Sequence, residues 1–600
     1  MADAIHYDVH LADPSAHVFE VRLTVAEPAA EGQQLWLPVW IPGSYMIREF
    51  AKNIVRISAT CNGAPVGLRK LDKTSWQADP CDGPLEVTYE VYAWELTVRL
   101  AHFDANHAFF NGTSLFLAVA GQEGRPHAVT LHASDALPDW QVATSLPRRT
   151  GGTWDFGEFE AVDYDDLVDH PVEMGTFVHA RFDACGTPHD LVVTGHTRFD
   201  MARLVADLKP ICEQHIRMFG EPAPMARYVF LLMVTGGGYG GLEHRASSAN
   251  ICKRADLPKV GVPGVDDGYR KLLGLLSHEY FHTWNVKRIK PRAFVPYDLR
   301  REAHTTLLWA FEGITSYYDD LGLLRAGRID TASWLELLGQ TLTRVERVAG
   351  RHKQSVGASS FDAWTKFYRQ DENAPNAIVS YYAKGAVVAL ALDLELRRRS
   401  DGAVSLDDVM RGLWERFGDG SGVVEDGIET LASELVGEDM SDFFDQAVRG
   451  TEDLPVAELL GTMGVRLNRR AAVSTTDAGG RKRKDEATFV RGDLGVSVKA
   501  AKHGAQLRFV HDGGAARAAG LSAQDVVVAF DGLRVTGTDL FDRARELPAG
   551  TTVTVHAFRA DVLHTFEVTL QPAPLATIWL ELDEEAALDV IERRERWLGV

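Results

Sequence analysis

The sequence predicts a multidomain α+β protein with a β-rich N-terminal region, an α-rich centre and a β-rich C-terminal module. Three observations predict it. At 600 residues, and roughly 150 residues per domain, the chain has room for about four domains. Alternating apolar and polar residues dominate residues 1–175 and return near 489, as in half-buried strands. Between them, the apolar residues recur at helical spacing.

The N-terminal region, 1–175, is expected to be β-sandwich-like. His17–Val25 and Leu85–Ala93 alternate, and Asn62-Gly63 and Cys81-Asp82-Gly83-Pro84 supply turns. From 176 to 452 the pattern changes. Met201–Phe219 has helical spacing, and Tyr228–Val234 reads as a strand followed by the glycine-rich Thr235–Gly241. Gly268–Arg288, Glu302–Arg325 and Ala383–Arg399 read as helices, the second suited by Ala326-Gly327 to end there. Residues 453–575 form a β-module with a leading strand and a basic loop at 474–488. In an acidic chain, that loop reads as solvated rather than as a nucleic-acid patch. Leu580–Trp597 is expected to be an acidic amphipathic helix in a C-terminal segment, 576–600.

Composition excludes several function classes. Lys and Arg total 63 against 84 Asp and Glu, a net charge of −21, which disfavours nucleic acid and anionic membrane as partners. Five cysteines without a CxxC pair do not form a disulfide framework and fit a reducing compartment. The N-terminus has no basic start leading into an apolar run, and no stretch approaches 18 apolar residues. The expected location is cytoplasmic.

The chemistry is concentrated in Ser277-His278-Glu279-Tyr280-Phe281-His282. Two histidines four apart lie on one helix face, one turn apart, and can meet a single zinc ion. Glu279 beside them can accept a proton from a water in the fourth position. The alternative is a pair of packed core histidines. A second acidic motif, Phe311-Glu312-Gly313, follows. Its surroundings (Trp309, Ile314 and Tyr317) favour burial, and a buried carboxylate requires a cation or hydrogen bonds. Glu312 is the expected third ligand, leaving one position open as a catalytic zinc requires. Asp319, two turns on, could orient a ligand histidine or be an ordinary surface aspartate.

These residues resemble the glycyl aminopeptidase family of gluzincin (HExxH) zinc metallopeptidases, whose members carry a PDZ domain. The resemblance rests on His278–Asn285, on Phe311–Tyr318 and on Trp40-Ile41-Pro42-Gly43-Ser44-Tyr45 in the N-terminal region. It implies a thermolysin-like catalytic domain, a hydrolase and metalloprotease activity, and one zinc per chain. Related aminopeptidases bind the substrate amine with the glutamate of a glycine-rich Met-Glu-Asn motif. Gly240-Gly241-Leu242-Glu243-His244 is similar but departs at His244. The resemblance implies that Glu243 binds the free N-terminus and that Gly240 and Gly241 line the peptide; the plain alternative is a flexible loop. It also assigns oxyanion stabilisation to Tyr382, just before Lys384-Gly385, with Tyr381 an adjacent competitor. The interval from His282 to Glu312 is longer than in well-known relatives, so Lys287–Arg301 could form a loop over the cleft.

The C-terminal module, with Gly492-Asp493-Leu494-Gly495-Val496 and Gly513–Leu521, resembles a PDZ domain of the bacterial protease-associated type. Its groove could hold a peptide C-terminus or serve only as structure. The function expected is cleavage after small N-terminal residues such as glycine or alanine. Two rivals stand beside it: a zinc endopeptidase with PDZ-assisted substrate binding, and an inactive PDZ adaptor.

Overall fold

The computed structural model describes residues 4–484, 487–537 and 539–600. The chain divides into two compact units. One comprises Met1–Ala303, Ala326–Arg328 and Met410–Val424; the other comprises His304–Arg325, Ile329–Val409 and Glu425–Val600.

The first unit begins with stacked β-sheets. In a seven-stranded sheet, Ile5–Asp13 pairs in parallel with His127–Leu131 and antiparallel with Val18–Val25, which continues to Leu85–Tyr92 and Ile54–Cys61. Alternation explains the pairing: Tyr7, Val9, Phe19, Val21 and Leu23 all turn to one buried side. Two four-stranded sheets complete the β-rich region, one running Gln141–Thr144, Val172–Gly175, His107–Phe110, Ala101–Phe103.

A five-stranded sheet follows in the same unit, ordered Val178–Ala184, Thr187–Thr194, Tyr228–Thr235, Ser247–Lys253, Gly240–Glu243. Its central strand, Tyr228–Thr235, is buried on both faces, which is why it reads as a continuous apolar run. The glycine-rich Gly240–Glu243 is the edge, antiparallel to Ser247–Lys253. Helix Met201–Phe219 is capped by the Asp200 carboxylate, which accepts the N–H of Arg203.

The segment that follows the HExxH motif, expected as a loop over the cleft, is partly buried. The motif helix ends at Phe281 rather than Arg288, because the chain turns sharply through Val286, whose φ is 93°. Residues 287–301 then pack inward. Lys287 is 3% exposed and its ammonium lies 2.6 Å from Asp169 Oδ1. Val39 N donates to Leu299 O at 2.8 Å and Trp40 Nε1 to Asp298 O at 2.9 Å. The extra length is therefore a strap, buried at Lys287, Phe294 and Leu299 and exposed at Arg292, Arg300 and Arg301, that holds the Trp40–Tyr45 motif.

In the second unit, Glu302–Arg325 is not one uniform helix. Trp309–Ile314 is a π-helix that continues as the α-helix Thr315–Arg325, a local widening often found at functional sites. Helices Thr331–Glu346 and Ala383–Arg399 pack around it. Val465–Arg470 pairs antiparallel with Thr577–Leu582. Residues 577–582 form a strand, with Ile578 and Leu580 buried, so the helix expected from Leu580 starts later and runs Leu588–Leu598.

The C-terminal module is a separate sheet, Val496–Ala501, Gly504–Val510, Val526–Phe530, Thr552–Arg559, Val562–Thr569, with Leu533–Arg534 alongside. Its own apolar core includes Leu507, Val527, Val555 and Val568. In the basic loop at 474–488, Arg481, Lys482, Arg483 and Lys484 are exposed, as a solvated loop requires, while the loop's start is anchored. Asp477 is buried against Arg470, Arg481 pairs with Glu336 at 2.9 Å, and Lys482 pairs with Glu581 at 2.9 Å. Asp485 and Glu486 of that loop lie outside the described residues. Among the described residues, no helix is long and apolar enough to cross a membrane.

Candidate active site

The motif helix Asp267–Phe281 is capped by Asp266, whose side chain accepts the N–H of Tyr269. Its apolar stripe, including Leu272, Leu273 and Leu276, is buried, so the opposite turns present the histidines in one direction. His278 Nε2 and His282 Nε2 stand 3.1 Å apart with their rings nearly perpendicular. His282 Nδ1 lies 2.8 Å from the carbonyl oxygen of Asn285. That oxygen accepts only if Nδ1 carries the proton, which makes Nε2 the ligating nitrogen.

Glu279 is 4% exposed and Glu243 is 3% exposed. One ligand atom each from Glu243, Glu279 and His282 lie within 4.8 Å of one another. Backbone closeness produces this convergence. A Cβ on Gly241 would fall 2.0 Å from Glu279 Oε1, and a Cβ on Gly43 would fall 2.4 Å from Glu243 Oε1. A side chain at either position would push the carboxylate aside. The Trp40–Tyr45 motif therefore walls the Glu243 carboxylate, and Tyr45 itself stacks on Phe294 of the strap.

Gly240 and Gly241 lie in a regular edge strand, not a flexible loop; Gly236 and Gly237 before them have open space around their Cα atoms. His244, where the sequence departs from the related motif, faces Asp169 with Nδ1 3.5 Å from Oδ1. Burial pushes its pKa down. Burial alone would raise Asp169, but Lys287 and Arg245 outweigh it and hold the carboxyl well below its ordinary range.

Two contacts escaped sequence reasoning. Arg99 Nη2 donates to Gly241 O at 3.3 Å, from a loop of the β-rich region with no motif of its own. Gly43 carried a signal, since it sits in Trp40–Tyr45, but only the fold shows that it faces Glu243.

In the second unit, Glu312 is buried in the π-helix. A Cβ on Gly313 would lie 2.4 Å from Gly385 Cα, and one on Gly385 2.7 Å from Trp309 O. The two helices thus cross glycine to glycine, which brings the residues beside those glycines, Glu312 and Tyr382, close enough to interact. Burial, and then the charge of Glu312, raise the Tyr382 phenol well above its ordinary pKa. It remains a protonated donor. Its hydroxyl lies 3.2 Å from that of Tyr368, a neighbour with no sequence signal. Tyr381 is fully buried, with its ring 4.8 Å from that of Phe367. Asp319, half-buried on the helix after Glu312, accepts the N–H of Asp320 at 2.6 Å.

The sequence matches the Peptidase M61 N-terminal domain over 6–176, M61 glycyl aminopeptidase over 271–388 and a PDZ domain over 492–570. The crystal structure of an aminopeptidase N family protein from Idiomarina loihiensis is 43% identical. It covers 99% of this chain and all of its own, with a TM-score of 0.94. An M1 zinc metallopeptidase from Deinococcus radiodurans is similar at 14% identity over 76% of this chain and 95% of that one, with a TM-score of 0.49. No curated protein matches the chain. With HExxH helix, glycine-rich edge strand and PDZ domain all in place, the chain belongs to the M61 glycyl aminopeptidase family and is a zinc aminopeptidase.

Proposed function

We propose that the enzyme removes small N-terminal residues, glycine or alanine, from peptides. His278, His282 and Glu312 hold one zinc ion for this reaction. The observation that carries the exopeptidase reading is Glu243 beside Glu279 and His282, with Gly43 closing the space behind it. Two buried carboxylates so close repel when both are ionised. A substrate ammonium at Glu243 relieves that repulsion and fixes the first peptide bond next to Glu279. The approach of Gly43 leaves little room beyond the amine, which supports a terminal rather than an internal residue.

Two imidazoles and a carboxylate are the donor set of a catalytic zinc, and the 3.1 Å between the histidine nitrogens suits two ligands of one ion. Zinc there supplies Lewis acidity that polarises the scissile carbonyl and acidifies water. Glu279 removes a proton from the attacking water and returns it to the departing amine. The Tyr382 hydroxyl donates to the oxyanion as charge develops. Gly240 and Gly241, on the sheet edge, line the substrate backbone. Asp319 orients His278, because the Nδ1 of His282 already faces Asn285 O.

A second element of the reading concerns the PDZ groove. A cavity of about 620 Å³ lies beside Leu494, Gly495 and Val496 and the helix residues Phe541 and Ala544. Strand Val496–Ala501 is the sheet edge there, which supports an added peptide strand with its C-terminal carboxylate at the Leu494–Val496 amides. The five free cysteines support a reducing, cytoplasmic setting.

The deciding measurement is hydrolysis of glycine and alanine arylamides, with chelator, with zinc restored, and with the N-acetylated substrate alongside. Cleavage that needs zinc and a free amine, and is lost in Glu279→Gln, supports the aminopeptidase. Indifference to acetylation would instead identify an endopeptidase. Absence of cleavage by zinc-loaded protein would favour the adaptor.

A further inference from the structure

A second cluster of ligand-type side chains sits on the hairpin of Ala101–Phe103 and His107–Phe110, outside the residues assigned to catalysis. His102, Asp104 and His107 each offer one ligand atom, and these atoms lie within 4.8 Å of one another. The imidazole centroids are 4.9 Å apart. His102 is 5% exposed and His107 is 9% exposed.

Asp104 Oδ1 accepts the backbone N–H of Asn106 at 2.7 Å and of His107 at 3.1 Å. Oδ2 accepts from Asn106 Nδ2 at 3.1 Å and stands 3.6 Å from His102 Nε2. That separation is too long for a good hydrogen bond. It matches two ligands each about 2.0–2.2 Å from a shared tetrahedral ion.

One further observation points to a ligand. His107 Nδ1 lies 3.0 Å from Glu173 Oε1, and Glu173 is 2% exposed. A buried carboxylate behind an imidazole is the arrangement that fixes the tautomer of a ligating histidine and raises its basicity.

We propose that His102, Asp104 and His107, backed by Glu173, form a second divalent-metal site of zinc type within the N-terminal β-rich region. Two imidazoles and a carboxylate select a first-row transition ion over calcium or magnesium. The ion fastens the base of the loop that precedes the hairpin. Trp94, at the start of that loop, bridges to His102 and stacks on it at 5.2 Å, and Arg99 within it reaches Gly241. The site is independent of the roles assigned to His278, His282 and Glu312.

The test uses the full chain carrying His278→Gln and His282→Gln, stripped with chelator and titrated with Zn²⁺ and separately with Co²⁺. One equivalent per chain is expected, with visible Co²⁺ d–d absorption and a change in Trp emission that Trp94→Phe removes. Adding His102→Gln and His107→Gln should abolish uptake. If that protein fails to fold, Glu173→Gln keeps all three ligands and should weaken binding about 10–100-fold. In the otherwise native chain, two equivalents should fall to one with His102→Gln and His107→Gln. The proposal is overturned if the stripped His278/His282 variant takes up no Zn²⁺ at micromolar concentration, leaving only a His107–Glu173 ion pair. It is equally overturned if uptake persists without His102 and His107.

Discussion

Gly241 and Glu279 are in backbone-to-side-chain contact: a Cβ on Gly241 would stand 2.0 Å from Glu279 Oε1. No rotamer of any larger residue relieves such an overlap without moving either the strand or the carboxylate. Gly241→Ala is therefore expected to displace Glu279 and lower kcat about 100-fold, the scale of a 1 Å misplacement. Bound zinc should be unchanged by metal analysis, because His278 and His282 are not displaced. Unaltered kcat would contradict the contact.

Glu243→Gln keeps the size of the side chain and removes its charge. The expected result is a large rise in KM for free-amine substrates with a smaller change in kcat, and a narrowed difference between free and N-acetylated substrates. Equal loss on both substrate types would mean that Glu243 acts on the cleft as a whole and not on the amine.

Tyr382→Phe removes one hydrogen-bond donor whose pKa is held high by burial and by Glu312. Loss of an oxyanion donor costs about 10²–10³ in kcat, with KM little changed. Tyr381→Phe, at a fully buried ring packed on Phe367, should leave turnover near that of the native enzyme. Steady-state kinetics of the pair separate the adjacent tyrosines.

Gly313→Ala places a methyl group 2.4 Å from Gly385 Cα. Overpacking of this kind costs about 1–3 kcal/mol, read as a lower thermal midpoint. Because the same crossing sets both Glu312 and Tyr382, activity should fall further than stability. An exposed glycine control, Gly327→Ala, meets no neighbouring atom but has φ of 67° and should cost only the backbone strain.

The Asp169–Lys287 pair predicts a pH dependence. Asp169 is held well below its ordinary value of 3.8 in the folded protein, so its stabilisation is fully present above that value. It is lost as pH falls through the lower folded value. Thermal midpoints of the native chain should drop below about pH 4, and Asp169→Asn should flatten that part of the dependence. At neutral pH the same variant strands the Lys287 ammonium and should cost about 3–5 kcal/mol. A native-like melting curve for Asp169→Asn at pH 7 would refute the buried pairing.

Elements with a strong local period were legible in the sequence. Met201–Phe219 and Ala383–Arg399 are the helices that their spacing predicts, and the HExxH face follows from 3.6-residue periodicity alone. The π-helix at Trp309–Ile314 was not legible, since one widened turn leaves the apolar pattern nearly intact. Leu580–Leu582 was read as the start of the terminal helix because it precedes a truly helical stretch, and only pairing with Val465–Arg470 selects the strand. The strap at 287–301 was expected as a loop over the cleft because its lysines and arginines are polar, and the partner of Lys287, Asp169, lies more than a hundred residues away. The Gly43–Glu243 contact is of the same kind: both residues stand in recognisable motifs, and nothing in either motif names the other.

The ladder of Val465–Arg470 with Thr577–Leu582 has a consequence for how the chain was assembled. Everything between these strands, including the whole PDZ sheet with its own core, leaves and re-enters at neighbouring points, with Arg470 opposite Thr577. The PDZ domain is thus a cassette whose entry and exit share one clasp. Exchanging it would alter what is presented at the groove while the strands that close the helical unit stay zipped. Its outer loops can diversify, whereas Val510 and Asp512, which bond Asn376 of the helical frame, are held to it.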